Sequence, residues 1–347
     1  MQLQSNDKLD TIAFDEKTLF QATEDYAEAP QMTELPFEVP RDHQAFYEHF
    51  GLLPHDFNRG EDGLPTPVKK LTWYQLKFMK MNFGVCLKSN KLGMTTSEMI
   101  EDFHTRLLPE SAGYDCLVVA SKQEIANELV MKLKKLVAGS KIYSQFLIKR
   151  PDFMEFKEEK TKVGVMVIAN PYEPARKSRI IAVGTSLSSV FSRMGINRIH
   201  ITDPALMKIK KQDDYFAGLF SRIANTGGQI KIEGVPLFRQ GWFWKICKTL
   251  FHIEDAFEDS RSPAEKINDE ADEYELPPEI TEIFETMKLT IEDGVAAGVI
   301  PPEIRDTLKK SMSPAKYKQT FMAEFLPPEG AAFGGNFGIG EHELEEW

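Results

Sequence analysis

The stretch Met81 to Met99, MNFGVCLKSNKLGMTTSEM, limits the fold more than any other part of this chain. Met81 to Leu87 is a short apolar run that reads as a buried strand. Lys88 to Thr96 is polar, with one glycine and a threonine pair, and from Thr95 onward the spacing turns helical. Strand, tight loop and threonine-initiated helix make the layout of a phosphate-binding loop, in which backbone N–H groups and a helix N-terminus face an anion. The usual spelling is G-x-x-x-x-G-K-[ST]. This loop departs from it twice: Cys86 or Leu87 sits near the first glycine position, and Met94 stands where the lysine belongs.

The segments around the loop support an α/β fold. A helix begins near Asp42 to Phe50, followed by a loop over Pro54 to Pro67. Leu76 to Met81 is helical, and Gln75 precedes it. A glutamine just ahead of such a loop can read an adenine edge, because its amide offers a donor and an acceptor. A surface glutamine on a helix packed through Trp73 and Phe78 is the other reading. Tyr114 to Ala120 is a strand, and Gln123 to Val137 is an amphipathic helix with Ile125, Leu129, Leu133 and Leu136 at helical spacing. Strands follow at Val163 to Ala169, Arg179 to Val183, Arg198 to Thr202 and Gln229 to Glu233. Helices are expected over Tyr215 to Ala224 and Trp242 to Phe251, and a loop over Gly184 to Ser192. Alternating strands and helices imply a parallel sheet covered on both faces. Ligands of such sheets sit at strand carboxyl ends, and Lys88, Asp203 and Glu233 fall there. Pro277 to Lys309 reads as helices punctuated by Pro and Gly, and Ser313 to Phe325 as a helix capped by Ser313 with Pro314 at its first position.

Three parts follow: an N-terminal arm and lead-in helix (1–66), a phosphate-loop domain (67–253), and an acidic linker with a C-terminal helical segment (254–347). The 347 residues carry a net charge of −11, which counts against generic nucleic-acid binding, although a local basic face is compatible with it. Lys132, Lys134, Lys135, Lys141, Lys149 and Arg150 form the most basic region, read either as a solvated helix face or as a track for a phosphate backbone. No apolar run reaches the roughly 20 residues that cross a bilayer, so no membrane is expected. Cys86, Cys116 and Cys247 are far apart, which argues against a zinc site or disulfide framework and suits a reducing cytoplasm.

Lys88-Ser89-Asn90-Lys91-Leu92-Gly93-Met94-Thr95-Thr96 resembles the loop K-S-x-[RQK]-x-G-x-[ST]-[ST] of the large terminase subunit, the DNA-packaging ATPase of tailed viruses. In that family a Gln-bearing segment precedes the loop, as Gln75 does here. Family members that lack the lysine after the glycine can carry it at the front of the loop. The resemblance therefore implies a P-loop (RecA/ASCE-like) parallel sheet, ATP bound between Gln75 and the Lys88–Thr96 loop, Lys88 as the phosphate lysine and Thr95 as an Mg²⁺ ligand. The family's apolar strand closing on Asp-Glu is matched by Arg198 to Asp203, but Pro204 stands in place of the glutamate. Asp203 is then the Mg²⁺ carboxylate, with Asp213, Asp214 and Glu233 as candidates to orient the attacking water. Arg193, in Arg193-Met194-Gly195 ahead of that strand, is a candidate phosphate sensor or a structural surface arginine. Glu233-Gly234-Val235-Pro236 resembles the coupling segment. Ala296 to Glu303 and Tyr317 to Phe325 resemble the helix leading into a nuclease domain, which this sequence is expected to lack.

The resemblance further implies a homo-oligomeric ring acting on double-stranded DNA in the host cytoplasm. A portal protein, a small terminase subunit and a separately encoded nuclease would be its partners. A nucleotide-binding scaffold or regulator with weak or no hydrolysis is the alternative, because Pro204 replaces the catalytic glutamate. A helicase-like ATPase would need a second RecA-like domain, for which the chain has no room.

Overall fold

The computed structural model describes residues 38–50, 53–59, 65–68, 70–148, 153–155, 162–185, 195–207, 212–239, 241–253 and 278–327. The first elements in chain order are α1 (His43–Phe50), β1 (Leu53–Arg59), β2 (Pro65–Val68), α2 (Trp73–Lys80), β3 (Phe83–Lys88) and α3 (Met94–Leu107). Then come β4 (Asp115–Val119), α4 (Gln123–Gly139), β5 (Phe153–Glu155), β6 (Lys162–Ala169), β7 (Lys177–Val183) and β8 (Ile196–Thr202). α5 (Gln212–Ala224), β9 (Gln229–Gly234), α6 (Gly241–Leu250), α7 (Pro278–Ile283) and β10 (Glu285–Leu289) follow, before α8 (Ile291–Ala296), α9 (Pro302–Ser311) and α10 (Pro314–Phe321).

Eight strands form one sheet in the order β10-β3-β9-β8-β4-β7-β6-β5. All neighbours from β10 to β7 are parallel. One strand, β9, stands between the loop-bearing β3 and the Asp203-bearing β8, which is the strand order of RecA/ASCE-like P-loop folds. The expected parallel sheet is thus present, with one correction. β6 pairs antiparallel with β7, and β5 antiparallel with β6, so the far edge is antiparallel. A second correction concerns the expected loop over Pro54 to Pro67, where β1 and β2 pair antiparallel. A third concerns Pro277 to Lys309: Glu285–Leu289 is a strand parallel to β3, in a segment read as helices only.

The central strands are buried on both faces, which is why they read as continuous apolar runs. Their side chains alternate between two cores. Val85, Leu87, Leu117 and Val119 pack with Leu219, Trp242 and Phe243 on the face covered by α5 and α6. Cys116 and Val118 pack with Phe103, Val130 and Leu133 on the face covered by α3 and α4. Each fully buried Val, Leu, Ile or Phe contributes about 1.5–3 kcal/mol. A third cluster joins Tyr74 and Phe78 of α2 and Leu92 and Met94 of the loop to Met287, Leu289, Ile300, Tyr317 and Phe321. The C-terminal segment is therefore packed against the phosphate-type loop itself. Its last helix starts as expected, with Ser313 Oγ accepting from the Lys316 N–H and Pro314 at the first position.

Candidate nucleotide site

The loop between β3 and α3 turns on two left-handed residues, Lys91 (φ 65°) and Gly93 (φ 71°). Gly93 tolerates this conformation because it has no Cβ. As N-cap of α3 it also offers no side-chain oxygen, and among the described residues the first turn of the helix has no side-chain cap. Those N–H groups carry the positive end of the helix dipole and form a seat for an anion.

Neighbouring elements hold the loop in shape. The Ser89 N–H donates to the Leu289 carbonyl (2.8 Å), and the Asn90 N–H to the Thr320 carbonyl (3.0 Å). Ser89 Oγ donates to the Asn90 carbonyl (3.1 Å). On the other side, the Tyr74 hydroxyl donates to the Leu92 carbonyl (3.1 Å). Gln75 is buried; its Oε1 accepts the Thr72 N–H (2.9 Å), closing a capping box, and its Nε2 donates to the Gly93 carbonyl (3.3 Å). Gln75 is thus not a surface residue. Phe78 packs in the core as expected, whereas Trp73 is largely exposed. Leu92 and Met94 are buried in the third cluster, so the methionine at the usual lysine position points into the core. Lys91 and Thr96 are exposed, and Asn90 and Thr95 half-buried.

Lys88, unlike Met94, brings its end group to the start of α3. It ends β3 only 7% exposed, with Nζ 2.9 Å from Glu233 Oε2 and 3.3 Å from Thr95 Oγ1. Thr95 Oγ1 in turn donates to Glu233 Oε1 (2.9 Å). Burial works against the Lys88 charge, but Glu233 and Asp203 outweigh it and hold the ammonium protonated. Burial alone would raise the Glu233 pKa; Lys88 and His200 instead draw it down to about 2. Asp203 directly follows β8 in a left-handed conformation (φ 47°), half-buried, with its N–H on the Glu233 carbonyl (2.9 Å). Burial raises its pKa against the pull of Lys88. Pro204 opens a short turn, Pro204–Leu206, behind it. A Cβ on Gly234 would lie 2.5 Å from Pro204 Cδ, so the glycine lets that turn close over β9.

A buried charge chain that the sequence reading did not single out lies beneath these groups. His200 reaches Glu233 Oε1 with Nε2 (3.5 Å) and Asp102 Oδ2 with Nδ1 (2.8 Å). Arg198 pairs with Asp102 Oδ1 (2.5 Å), Glu98 Oε2 (2.9 Å) and Gln229 Oε1 (2.6 Å). Burial opposes the His200 charge, yet Asp102 and Glu233 push its pKa up to about 10. The signal was present in the sequence: Arg198 and His200 are two apart on a strand and share a face, and Glu98 and Asp102 are four apart on a helix. Lys231, on β9, donates to the Phe78 and Met79 carbonyls at the end of α2, where a cation suits the helix dipole.

Among the sequence-selected residues, Lys88, Thr95 and Glu233 are thus brought into direct contact, with Asp203 in their electrostatic field. Asp213 and Asp214 lie on α5, but their side chains are outside the described residues, as is Arg193.

No family model matches the sequence, and no curated protein does. Solved structures do resemble the fold. A point variant of the ATPase domain of the Thermus phage P74-26 large terminase matches with TM-score 0.50 and 12% identity, over 84% of this chain and 100% of that domain. The large terminase of bacteriophage HK97 matches with TM-score 0.50 and 12% identity over 82% of this chain. The matched part is 55% of the HK97 protein, so the chain spans about half of that relative's length. At these identities the likeness shows the fold.

Proposed function

From a chain that carries the fold of phage large-terminase ATPase domains, we propose an ATPase that binds ATP with Mg²⁺ at the Lys88–Thr96 loop and uses its hydrolysis to translocate double-stranded viral DNA into a procapsid. The observation that carries this reading is the meeting of Lys88, Thr95 and Glu233 at the uncapped N-terminus of α3. A protonated ammonium, a hydroxyl, two carboxylates and unclaimed helix N–H groups are the donor set that a metal–nucleotide complex needs.

In this reading Lys88 neutralises the terminal phosphates from the front of the loop, and the first N–H groups of α3 take phosphate oxygens. Thr95 and Asp203 would hold Mg²⁺, which would supply charge stabilisation to the departing phosphates. Glu233 takes over the role left vacant at Pro204: it orients the attacking water and accepts its proton. Gln75, through the Gly93 carbonyl, sets the loop for the base side of the nucleotide. Phosphate oxygens that take the place of the Glu233 carboxylate on Lys88 and Thr95 free it for that work. Arg193 serves as phosphate sensor. Exposed Lys132 and Lys135 on α4 suit a DNA backbone track. A homo-oligomeric ring at a portal, with a small terminase subunit and a separate nuclease chain, completes the assembly.

The second reading, a nucleotide-binding scaffold with little hydrolysis, is favoured by Pro204 alone. DNA-stimulated ATP turnover separates the two: turnover supports the motor, and background rates with intact ATP binding support the scaffold.

A further inference from the structure

The helix that begins at the phosphate-type loop carries a second cluster of ligand-capable side chains, distinct from the Arg198–Asp102–His200 chain. Glu101 and His104, three apart on α3, share one helix face. His43, the first residue of α1, comes down onto them from the lead-in segment. One ligand-capable atom from each of the three lies within 4.8 Å of the other two. Both imidazoles approach the same carboxylate oxygen: His43 Nδ1 is 2.9 Å and His104 Nδ1 is 3.2 Å from Glu101 Oε2. We propose that His43, Glu101 and His104 form a binding site for a borderline divalent transition metal such as Zn²⁺, which clasps the lead-in helix to the loop-bearing helix.

Three observations carry the proposal. The first is ligand chemistry: two imidazoles and one carboxylate are a set that Zn²⁺ takes with water in the fourth position. The second is spacing. Ligand atoms about 2.0–2.1 Å from a tetrahedral centre lie roughly 3.4 Å apart, close to the two distances found here. The third is the outer partner of His104. Its Nε2 lies 2.7 Å from the Pro40 carbonyl, which can only accept, so Nε2 carries the hydrogen. That bond fixes the ring with Nδ1 toward Glu101, and a metal-bound histidine characteristically donates its other N–H in this way. Phe46 stacks on the His104 ring at 4.0 Å between centroids and further fixes its plane.

Access and closure also agree. Glu101 and His104 are buried, while His43 keeps 20% of its side chain exposed, leaving a route for the ion and its water. Glu98 and Asp102 are committed to Arg198 and His200, so α3 divides its acids between the sheet and the lead-in helix. A metal here would couple the position of residues 38–50 to the helix whose N-terminus faces the loop. The proposal does not depend on ATP being the loop's ligand.

The competing explanation is a plain ionic His–Glu–His chain, and metal titration distinguishes the two. The full chain is stripped with chelator, dialysed against Zn²⁺ and analysed for bound metal. Co²⁺ is then used as a visible probe. The wild type is expected to retain one Zn²⁺ per chain, to gain thermal stability from it, and to show the intense d–d absorption of tetrahedral Co²⁺. His43→Ala, at an accessible helix start, is expected to weaken binding by more than the ~10–100-fold that loss of an outer partner brings. Glu101→Gln should do the same. Zn²⁺ retention equal in wild type and His43→Ala, or no tetrahedral Co²⁺ spectrum in the wild type, would overturn the site.

Discussion

Lys88 Nζ and Glu233 Oε2 lie 2.9 Å apart between the ends of β3 and β9, where the carboxylate has no exposed surface. A buried ion pair of this kind is costly to assemble, and its net contribution to stability is small or even unfavourable. Its position explains its presence better than its energy does. Both groups stand at strand carboxyl ends beside an uncapped helix, where an anion could displace one of them. The pair keeps a charge in place that the loop's Met94 cannot provide.

Removing the lysine tests that role. Lys88→Ala should abolish ATP binding by calorimetry, because it removes the ammonium that contacts both Thr95 and Glu233. It should also lower stability by about 3–5 kcal/mol, the usual cost of leaving half of a buried pair. Unchanged ATP affinity would refute the loop as the nucleotide site.

Asp203 gives a separate test. Asp203→Ala should abolish the Mg²⁺ dependence of nucleotide affinity and leave the fold intact. Asp203→Asn should do so with less strain, since Asn tolerates a φ of 47° better than Ala does. An identical Mg²⁺ response in wild type and both variants would refute its role as metal carboxylate.

His200 makes stability depend on pH with a definite sign. Its folded pKa is raised from 6.5 to about 10, so its contribution is fully present below pH 6.5 and is lost as pH rises through about 10. The wild-type thermal midpoint should fall across that window. In His200→Gln the fall should be shallower, with a lower midpoint at neutral pH because Asp102 loses a partner. Parallel curves for the two proteins would mean that His200 is not the titrating group.

The C-terminal segment should matter to the loop. Leu289→Ala opens a cavity beside Leu92 and Met94 and should cost about 2–5 kcal/mol. It should also speed hydrogen exchange at the Ser89 amide, whose acceptor is the Leu289 carbonyl. Exchange at Ser89 unchanged by the substitution would show that β10 does not support the loop.

The loop, the central strands and most helices were legible because periodicity and burial are local. Lys88 could be placed at a strand end from the apolar run before it, but its role as phosphate lysine came from the resemblance to the terminase loop. What escaped depends on distant partners. Glu285–Leu289 is short and mixed in polarity, and becomes a strand because β3 offers it an edge. Val163 to Ala169 reads as a strand in either direction, and only pairing with β7 makes it antiparallel. The link between His200 and Glu233 needed the register that sets Thr202 opposite Glu233. Gln75 was read either as an adenine reader or as a surface residue; its bond to the Gly93 carbonyl appears only when α2 docks on the loop.

The central claim is that Glu233 replaces the carboxylate missing at Pro204. The most direct measurement is single-turnover ATP hydrolysis, with DNA present, by wild type and Glu233→Gln, alongside ATP affinity for each. The glutamine variant should bind ATP but hydrolyse it slower by about 10²–10⁴-fold, the range expected for loss of a general base. Hydrolysis by Glu233→Gln at the wild-type rate would contradict it.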